Sequence, residues 1–235
     1  MGERFAGQVV LVAGGTGGLG HAVSAEFFGE GATVVVSYRN QQEFDALRTE
    51  AGATASKLDG RVVDVTDDRA VQQLVADIVA KYGRLDAAVN CIGGYEAGSK
   101  LWEMDPKVLD HMLALNLRSG YVLARAVVPA MLKQGRGAIV NVAAKAAVDH
   151  AASSAAYAAS KSAAVALIDS LAADLRGTDI RANSILPSII DTEANRRAMP
   201  KADYSKWPKP RDLARVILFL CSEDAKAIHG ASIPV

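Results

Sequence analysis

Tyr157 and Lys161 stand four residues apart in the alanine-rich stretch NVAAKAAVDHAASSAAYAASK, residues 141–161. On a helix that spacing brings two side chains together on one face. A tyrosine near pKa 10 is a poor acid–base group at neutral pH unless a nearby ammonium stabilises its phenolate, and Lys161 is the available cation. Hydride delivery to a carbonyl or imine leaves negative charge that must be protonated, so the pair suits such a step. Taken alone it carries little weight, because an amphipathic helix residue and its solvated neighbour give the same spacing. Ala143 and Ala144, where a strand should end and a hydroxyl partner could stand, offer only methyl groups.

A second constellation lies near the N-terminus. VLVAGGTGGLGHAVSAEFF places Gly14, Gly18 and Gly20 after an apolar run and at the opening of an amphipathic pattern. Glycine lets the backbone approach a pyrophosphate, whose charge a helix N-terminus stabilises through its free N–H groups. The spacing is G-x-x-x-G-x-G, with strand before and helix after, which is the context the motif requires. The second apolar run ends in SYRN. No carboxylate stands there to bind both ribose hydroxyls, and Arg39 could pair with a 2′-phosphate and stack on adenine. NADPH is therefore favoured over NADH, with NAD as the alternative. The competing reading of Arg39 is a solvated strand-end cation. Asp64, in VVDVTD, is placed to accept a hydrogen bond from an adenine amino group or to cap the next helix, although Thr66 and Asp67 are better placed as caps.

These groups need elements to hold them. Short β-branched runs at 8–13, 33–38, 61–65, 85–91, 137–143, 180–186 and 231–235 read as strands, and 18–29, 41–51, 67–82, 106–134, 154–176 and 210–222 as helices. Such alternation implies a parallel sheet covered on both faces. No internal repeat or low-complexity linker divides residues 1–235, so one domain is expected. Residues 187–209, PSIIDTEANRRAMPKADYSKWPK, resist regular structure and read as a substrate loop or lid, with Met199 and Trp207 giving it an apolar underside.

Composition narrows the classes. Of 235 residues, half are apolar, and 26 Lys+Arg balance 26 Asp+Glu, so no bulk field draws nucleic acid or an anionic membrane. No run supplies the roughly 20 apolar residues of a membrane helix, and the first residues resemble neither a signal peptide nor an anchor. A soluble, cytoplasmic protein is expected. Cys91 and Cys221 read as buried free thiols. His21, His111, His150 and His229 are scattered without metal-ligand spacing, so no metal is expected.

Five landmarks occur in order: the glycine loop 14–20, NCIG at 90–93, Asn116 in LNLRSG, Tyr157-x-x-x-Lys161, and PSIIDT at 187–192. Together they resemble the short-chain dehydrogenase/reductase family over essentially the whole chain. The resemblance implies a Rossmann-type doubly wound α/β fold with about seven parallel strands flanked by helices. It implies catalysis by Tyr157 as acid, Lys161 lowering its pKa and holding the nicotinamide ribose, and Asn116 supporting a water relay. It implies cofactor contacts from Gly14, Thr16, Gly18, Leu19, Gly20, Arg39, Asp64, Val65, Asn90, Gly93, Tyr157 and Lys161, with Asn90 also bracing the central sheet. Pro187, Ile189 and Thr192 resemble the stretch that grips the nicotinamide carboxamide, with Ser188 where glycine is usual.

Most of the family carries a serine about thirteen positions before the tyrosine, and here that position is Ala144. Losing one oriented donor from an oxyanion-type site typically costs about 3 kcal/mol. Ser153 and Ser154 are nearby substitutes. The dihydropteridine reductase branch, which reduces a quinonoid dihydropterin, also lacks this serine. AAKAAVD at 143–149 and DTEANRRAMPKADYSKW at 191–207 resemble that branch, and CIGGYEAG at 91–98 less so. Tyr38-Arg39 departs from it, because the branch usually carries an acid there and prefers NADH. The leading expectation is hydride transfer from NAD(P)H to a small activated acceptor. An ordinary ketone/alcohol dehydrogenase and a weakly catalytic NADP(H)-binding module are the alternatives; a purely structural oligomer leaves the glycine loop unexplained. The alanine-rich face of 154–176 and the long helix 106–134 suggest a homodimer or homotetramer.

Overall fold

The computed structural model describes residues 3–235. Seven strands form one sheet: β1 (Val9–Ala13), β2 (Thr33–Tyr38), β3 (Leu58–Val62), β4 (Ala87–Asn90), β5 (Gly137–Val142), β6 (Ile180–Leu186) and β7 (Ser232–Pro234). Their spatial order is β3-β2-β1-β4-β5-β6-β7, and every pairing is parallel. A parallel sheet buried on both faces needs nearly continuous apolar strands. VVLVA of β1 is buried throughout. Alternate residues feed two cores: Val10, Val12, Val34 and Val36 on one face, and Leu11, Val35, Ala88 and Ile139 on the other.

The first face is covered by α1 (Gly18–Gly29) and α8 (Pro210–Cys221), the second by α3 (Asp68–Tyr82), α5 (Ser119–Gln134) and α6 (Ala155–Asp174). Helix α3 shows why the chain folds so locally. Asp67 caps it by accepting from the N–H groups of Arg69 and Ala70, Val71, Leu74, Val75 and Ile78 form its buried stripe, and Gly83 ends it in the left-handed region. Strand order reverses between β1 and β4, and the crevice at their carboxyl ends is where such sheets bind ligands.

Three expectations need correction. The third strand runs three residues earlier than 61–65. Pairing with β2 ends at Tyr38↔Val62, and Val62 is 70 % exposed, so the valines that suggested a strand mostly lie beyond it. Gly60 is enclosed there, since a Cβ would meet the Phe44 ring at 2.3 Å. The helix expected over 106–134 is two helices, α4 (Pro106–Leu113) and α5, joined by a π-helical turn over Ala114–Arg118. Residues 187–209 are not wholly irregular: they hold α7 (Glu193–Ala198), whose N-terminal cap is Thr192, and a 3₁₀ turn at Tyr204–Lys206. No helix among the described residues is long and apolar enough to cross a membrane.

The closest backbone approach lies where α1 leaves β1. A Cβ on Gly20 would stand 2.0 Å from the Gly14 carbonyl oxygen, whereas one on Gly29 would meet nothing within 4 Å. Gly20→Ala is expected to destabilise the fold by about 2–3 kcal/mol through overpacking, and Gly29→Ala to be neutral or stabilising by up to about 1 kcal/mol. Urea unfolding of both variants beside the parent protein checks the contrast.

Candidate active site

The loop between β1 and α1 is built for a phosphate. Gly14 has φ +71°, and a Cβ on it would lie 2.5 Å from Ile92 Cδ1. A Cβ on Gly18 would press on the Thr192 methyl at 2.8 Å. Gly17 caps α1 without a side chain, and no acidic residue occupies the first turn. The N–H groups of Gly18, Leu19 and Gly20 therefore open a helix N-terminus that an anion can use. These features fit a nicotinamide dinucleotide: close backbone approach and uncapped donors are what its pyrophosphate needs.

Beyond the loop, a cavity of about 590 Å³ is lined by Leu19, by Cys91, Ile92, Gly93, Gly94 and Tyr95 after β4, and by Val142, Ala143 and Ala144 at the end of β5. Tyr157 and Lys161 of α6, and Pro187, Ile189, Asn195 and Met199 of the 187–209 segment, line it too. A larger groove of about 770 Å³ between α1 and α8 contains none of these residues and is filled with ion pairs such as Arg211–Glu26.

Lys161 is buried on α6, and its Nζ donates to the Val142 carbonyl at 3.1 Å. Gly93 is closely approached: a Cβ there would stand 3.0 Å from both Lys161 Nζ and Asn116 Oδ1, so either would have to shift. Asn116 sits in the π-helical turn, 2 % exposed. Its Oδ1 accepts from Gly94 N at 2.9 Å, and its Nδ2 donates to Gly94 O at 3.1 Å and to Ser160 Oγ at 2.9 Å. Gripped at both backbone groups, Gly94 fixes the next residue. Tyr95 stands edge-on to Tyr157, with ring centroids 4.8 Å apart and an interplanar angle of 81°.

The electrostatics differ from the simple expectation that Lys161 lowers the Tyr157 pKa. Burial, with a smaller contribution from Tyr95, pushes the phenol up to about 12. Burial likewise pulls the Lys161 ammonium down to about 8. Each charged form loses water, and in this structure that outweighs any mutual stabilisation. Burial also pushes the free thiols of Cys91 and Cys221 up to about 12, so neither is a nucleophile near neutrality.

The remaining expected residues divide clearly. Pro187 is buried and Ile189 half-exposed at the cavity wall, while Thr192 caps α7 and turns its methyl to Gly18. Met199 reaches the cavity, but Trp207 packs on Tyr204 at 4.9 Å instead. Asn90 is a brace: its Nδ2 donates to Asn141 Oδ1 at 2.9 Å, inside the sheet. Arg39 is exposed just after β2, close enough to Asp64 to help hold that carboxyl low, though Thr66 does more. Asp64 lies beyond β3 and accepts from the Thr66 N–H and hydroxyl, leaving the capping of α3 to Asp67, while Val65 is buried. Thr16 donates to Glu43 Oε2 at 2.9 Å. Sequence reasoning missed Gly94, Tyr95, Ser160 and Glu43; the aromatic directly after the glycine pair in CIGGY was the one visible signal.

A nucleotide-binding parallel sheet whose crevice ends at a buried lysine and a tyrosine is the site of a nicotinamide-dependent oxidoreductase. The model of the family described as short chain dehydrogenase matches residues 8–203. The chain is 32 % identical over 240 residues to a 3-oxoacyl-[acyl-carrier-protein] reductase of Thermotoga maritima, covering 99 % of this chain and 97 % of that one. It is 32 % identical to a D-threitol dehydrogenase of Mycolicibacterium smegmatis over 99 % of this chain and 92 % of the relative. The structure of ElxO with NADP bound superposes with a TM-score of 0.92 at 26 % identity, over 97 % of this chain and 96 % of that one. The chain belongs to the short-chain dehydrogenase/reductase family and is an NAD(P)-dependent oxidoreductase.

With Lys161 at about 8 and Tyr157 at about 12, the first alkaline loss of activity should be the lysine's. Reduction is expected to keep its kcat/KM below pH 8 and to fall above it as the ammonium deprotonates. A profile of kcat/KM from pH 6 to 10 checks this, and a flat profile through pH 10 would contradict it.

Proposed function

We propose that this reductase passes hydride equivalents to a small activated acceptor, of the kind a quinonoid dihydropterin represents, and uses NADPH in preference to NADH. The observation that carries the reading is Ala144, 6 % exposed on the cavity wall, where most relatives are expected to present a hydroxyl. Ser154 also lines the cavity, yet its single hydroxyl proton is committed to the Ala151 carbonyl at 2.6 Å. A ketone concentrates charge on one oxygen as it is reduced, and a missing donor costs it about 3 kcal/mol, roughly a hundredfold in rate. An activated acceptor spreads that charge and needs less polarisation. The exposed face of Tyr95, with Ile189 and Met199, gives a flat ring apolar surface to lie on.

When bound, the nicotinamide cofactor supplies the hydride. Tyr157, kept neutral by burial, donates the proton from its phenol oxygen. Lys161 holds the nicotinamide ribose and replenishes charge beside the phenol, and Asn116 keeps Gly93 and Gly94 clear of both. Arg39 takes the 2′-phosphate. The protein works as a homodimer or homotetramer in the cytoplasm, a reading supported by the half-exposed Tyr121 and Leu132 on α5 and by the two unpaired thiols. A second reading, ordinary ketone/alcohol exchange, is favoured by the names of the carbonyl and polyol relatives. A weakly catalytic binding module leaves the retained Tyr157, Lys161 and Asn116 without a purpose.

Tyr157→Phe is expected to lower turnover by at least a hundredfold with cofactor affinity nearly intact, whereas Lys161→Ala lowers both; equal loss of affinity would contradict the division of roles. The acceptor is tested by four kcat/KM values, for a quinonoid dihydropterin and a simple ketone with the parent protein and with Ala144→Ser. The parent should favour the pterin, and the serine should raise ketone reduction selectively. A parent that prefers ketones, or a serine that helps both equally, defeats the activated-acceptor reading.

A further inference from the structure

Glu43 belongs to no motif. It lies in the first turn of α2 (Gln41–Ala51), and its carboxylate reaches across to the glycine loop, where Thr16 Oγ1 donates to it at 2.9 Å. The helix that carries it is firmly seated. Asn40 caps α2 by accepting from Gln42 N at 2.9 Å, Phe44 stacks on Tyr38 with centroids 4.5 Å apart and planes within 3°, and Leu47 is fully buried. Glu43 can therefore leave Thr16 by rotating its own side chain, while the helix stays in place.

This changes the charge at the adenosine end. Arg39 brings one positive charge to the end of β2. Asp64 stands within its electrostatic reach, and Glu43 holds the only hydroxyl of the loop between Gly14 and Gly20. One carboxylate thus lies within reach of Arg39 and another sits on the glycine loop, so Arg39 is not the only charge along this side of the crevice.

We propose that Glu43 sets the cofactor discrimination: its carboxylate occupies Thr16 and opposes a 2′-phosphate, but accepts readily from the ribose hydroxyls of NADH. Binding of NADPH requires Glu43 to release Thr16 and turn toward solvent; binding of NADH does not. Arg39 and Glu43 then pull in opposite directions, and the preference for NADPH is smaller than Arg39 alone would give. The inference rests on the reading of Arg39 as the 2′-phosphate partner.

The experiment is equilibrium binding of NADPH and NADH to the purified full chain, followed by nucleotide fluorescence, for the parent, Glu43→Gln and Arg39→Ala. Glutamine keeps the reach and can still accept from Thr16, but carries no charge. Glu43→Gln is expected to tighten NADPH about tenfold while changing NADH less than about twofold, with the gain shrinking in 1 M salt, where the screening length is about 3 Å. An unchanged ratio of the two Kd values, or a shift of both by the same factor, overturns the proposal. Arg39→Ala separates it from its premise: a ratio insensitive to Arg39 removes the premise, whereas a ratio that responds to Arg39 but not to Glu43 removes this inference alone.

Discussion

Asn116 gripping the backbone of Gly94 is the contact on which the site depends. A π-helical turn turns this side chain inward, and there it meets the segment after β4 and, through Ser160, helix α6. Each such bond contributes about 1 kcal/mol net, but a buried partner left unsatisfied costs about 1–3 kcal/mol, so the three bonds stand or fall together. The irregular turn has poorer geometry than an α-helix. What it obtains is a side chain that holds the loop of Gly93, Gly94 and Tyr95 against α6.

The sheet supplies the frame for that clamp. Asn90 and Asn141 are paired in register across β4 and β5 and also joined through their side chains. The polar brace lies at the last paired position of the two strands and holds their carboxyl ends together. One side of the reversal in strand order opens the glycine loop, and the other ends at Val142, whose carbonyl receives Lys161. The glycine loop and the Lys161–Val142 contact are thus both set by the sheet, with the more irregular 187–209 segment as the part that differs in character.

The sequence made the sheet and most helices legible because buried parallel strands are apolar runs and the intervening helices carry caps and stripes, as Asp67 to Gly83 illustrate. Tyr157, Lys161, Asn116 and the glycines were legible as an ordered set. The third strand slipped because Val62, Val63 and Val65 have strand propensity, yet pairing with β2 ends at Val62, itself 70 % exposed, while Val65 is buried in the core beyond the strand. The π-helical turn was invisible because its cause, Asn116 meeting Gly94, spans 22 residues. Glu43 and Tyr95 stayed hidden for the same reason: each matters through a partner far away in sequence, Thr16 and Tyr157.

Burial sets the protonation states of the site. Donation to a reduced acceptor needs a neutral phenol, and oxidation of an alcohol needs a phenolate to act as base. Burial, with a smaller contribution from Tyr95, holds Tyr157 at about 12, so at neutral pH the phenol is protonated and remains a weak acid until a cation stabilises its phenolate. Lys161, drawn down to about 8, is still mostly an ammonium at pH 7 and can return a proton to the neighbourhood. A dry pocket is usually regarded as a hindrance to acid–base work, because it raises the energy of every charge. Here the same desolvation keeps the Tyr157 phenol protonated and makes the Lys161 ammonium easier to neutralise.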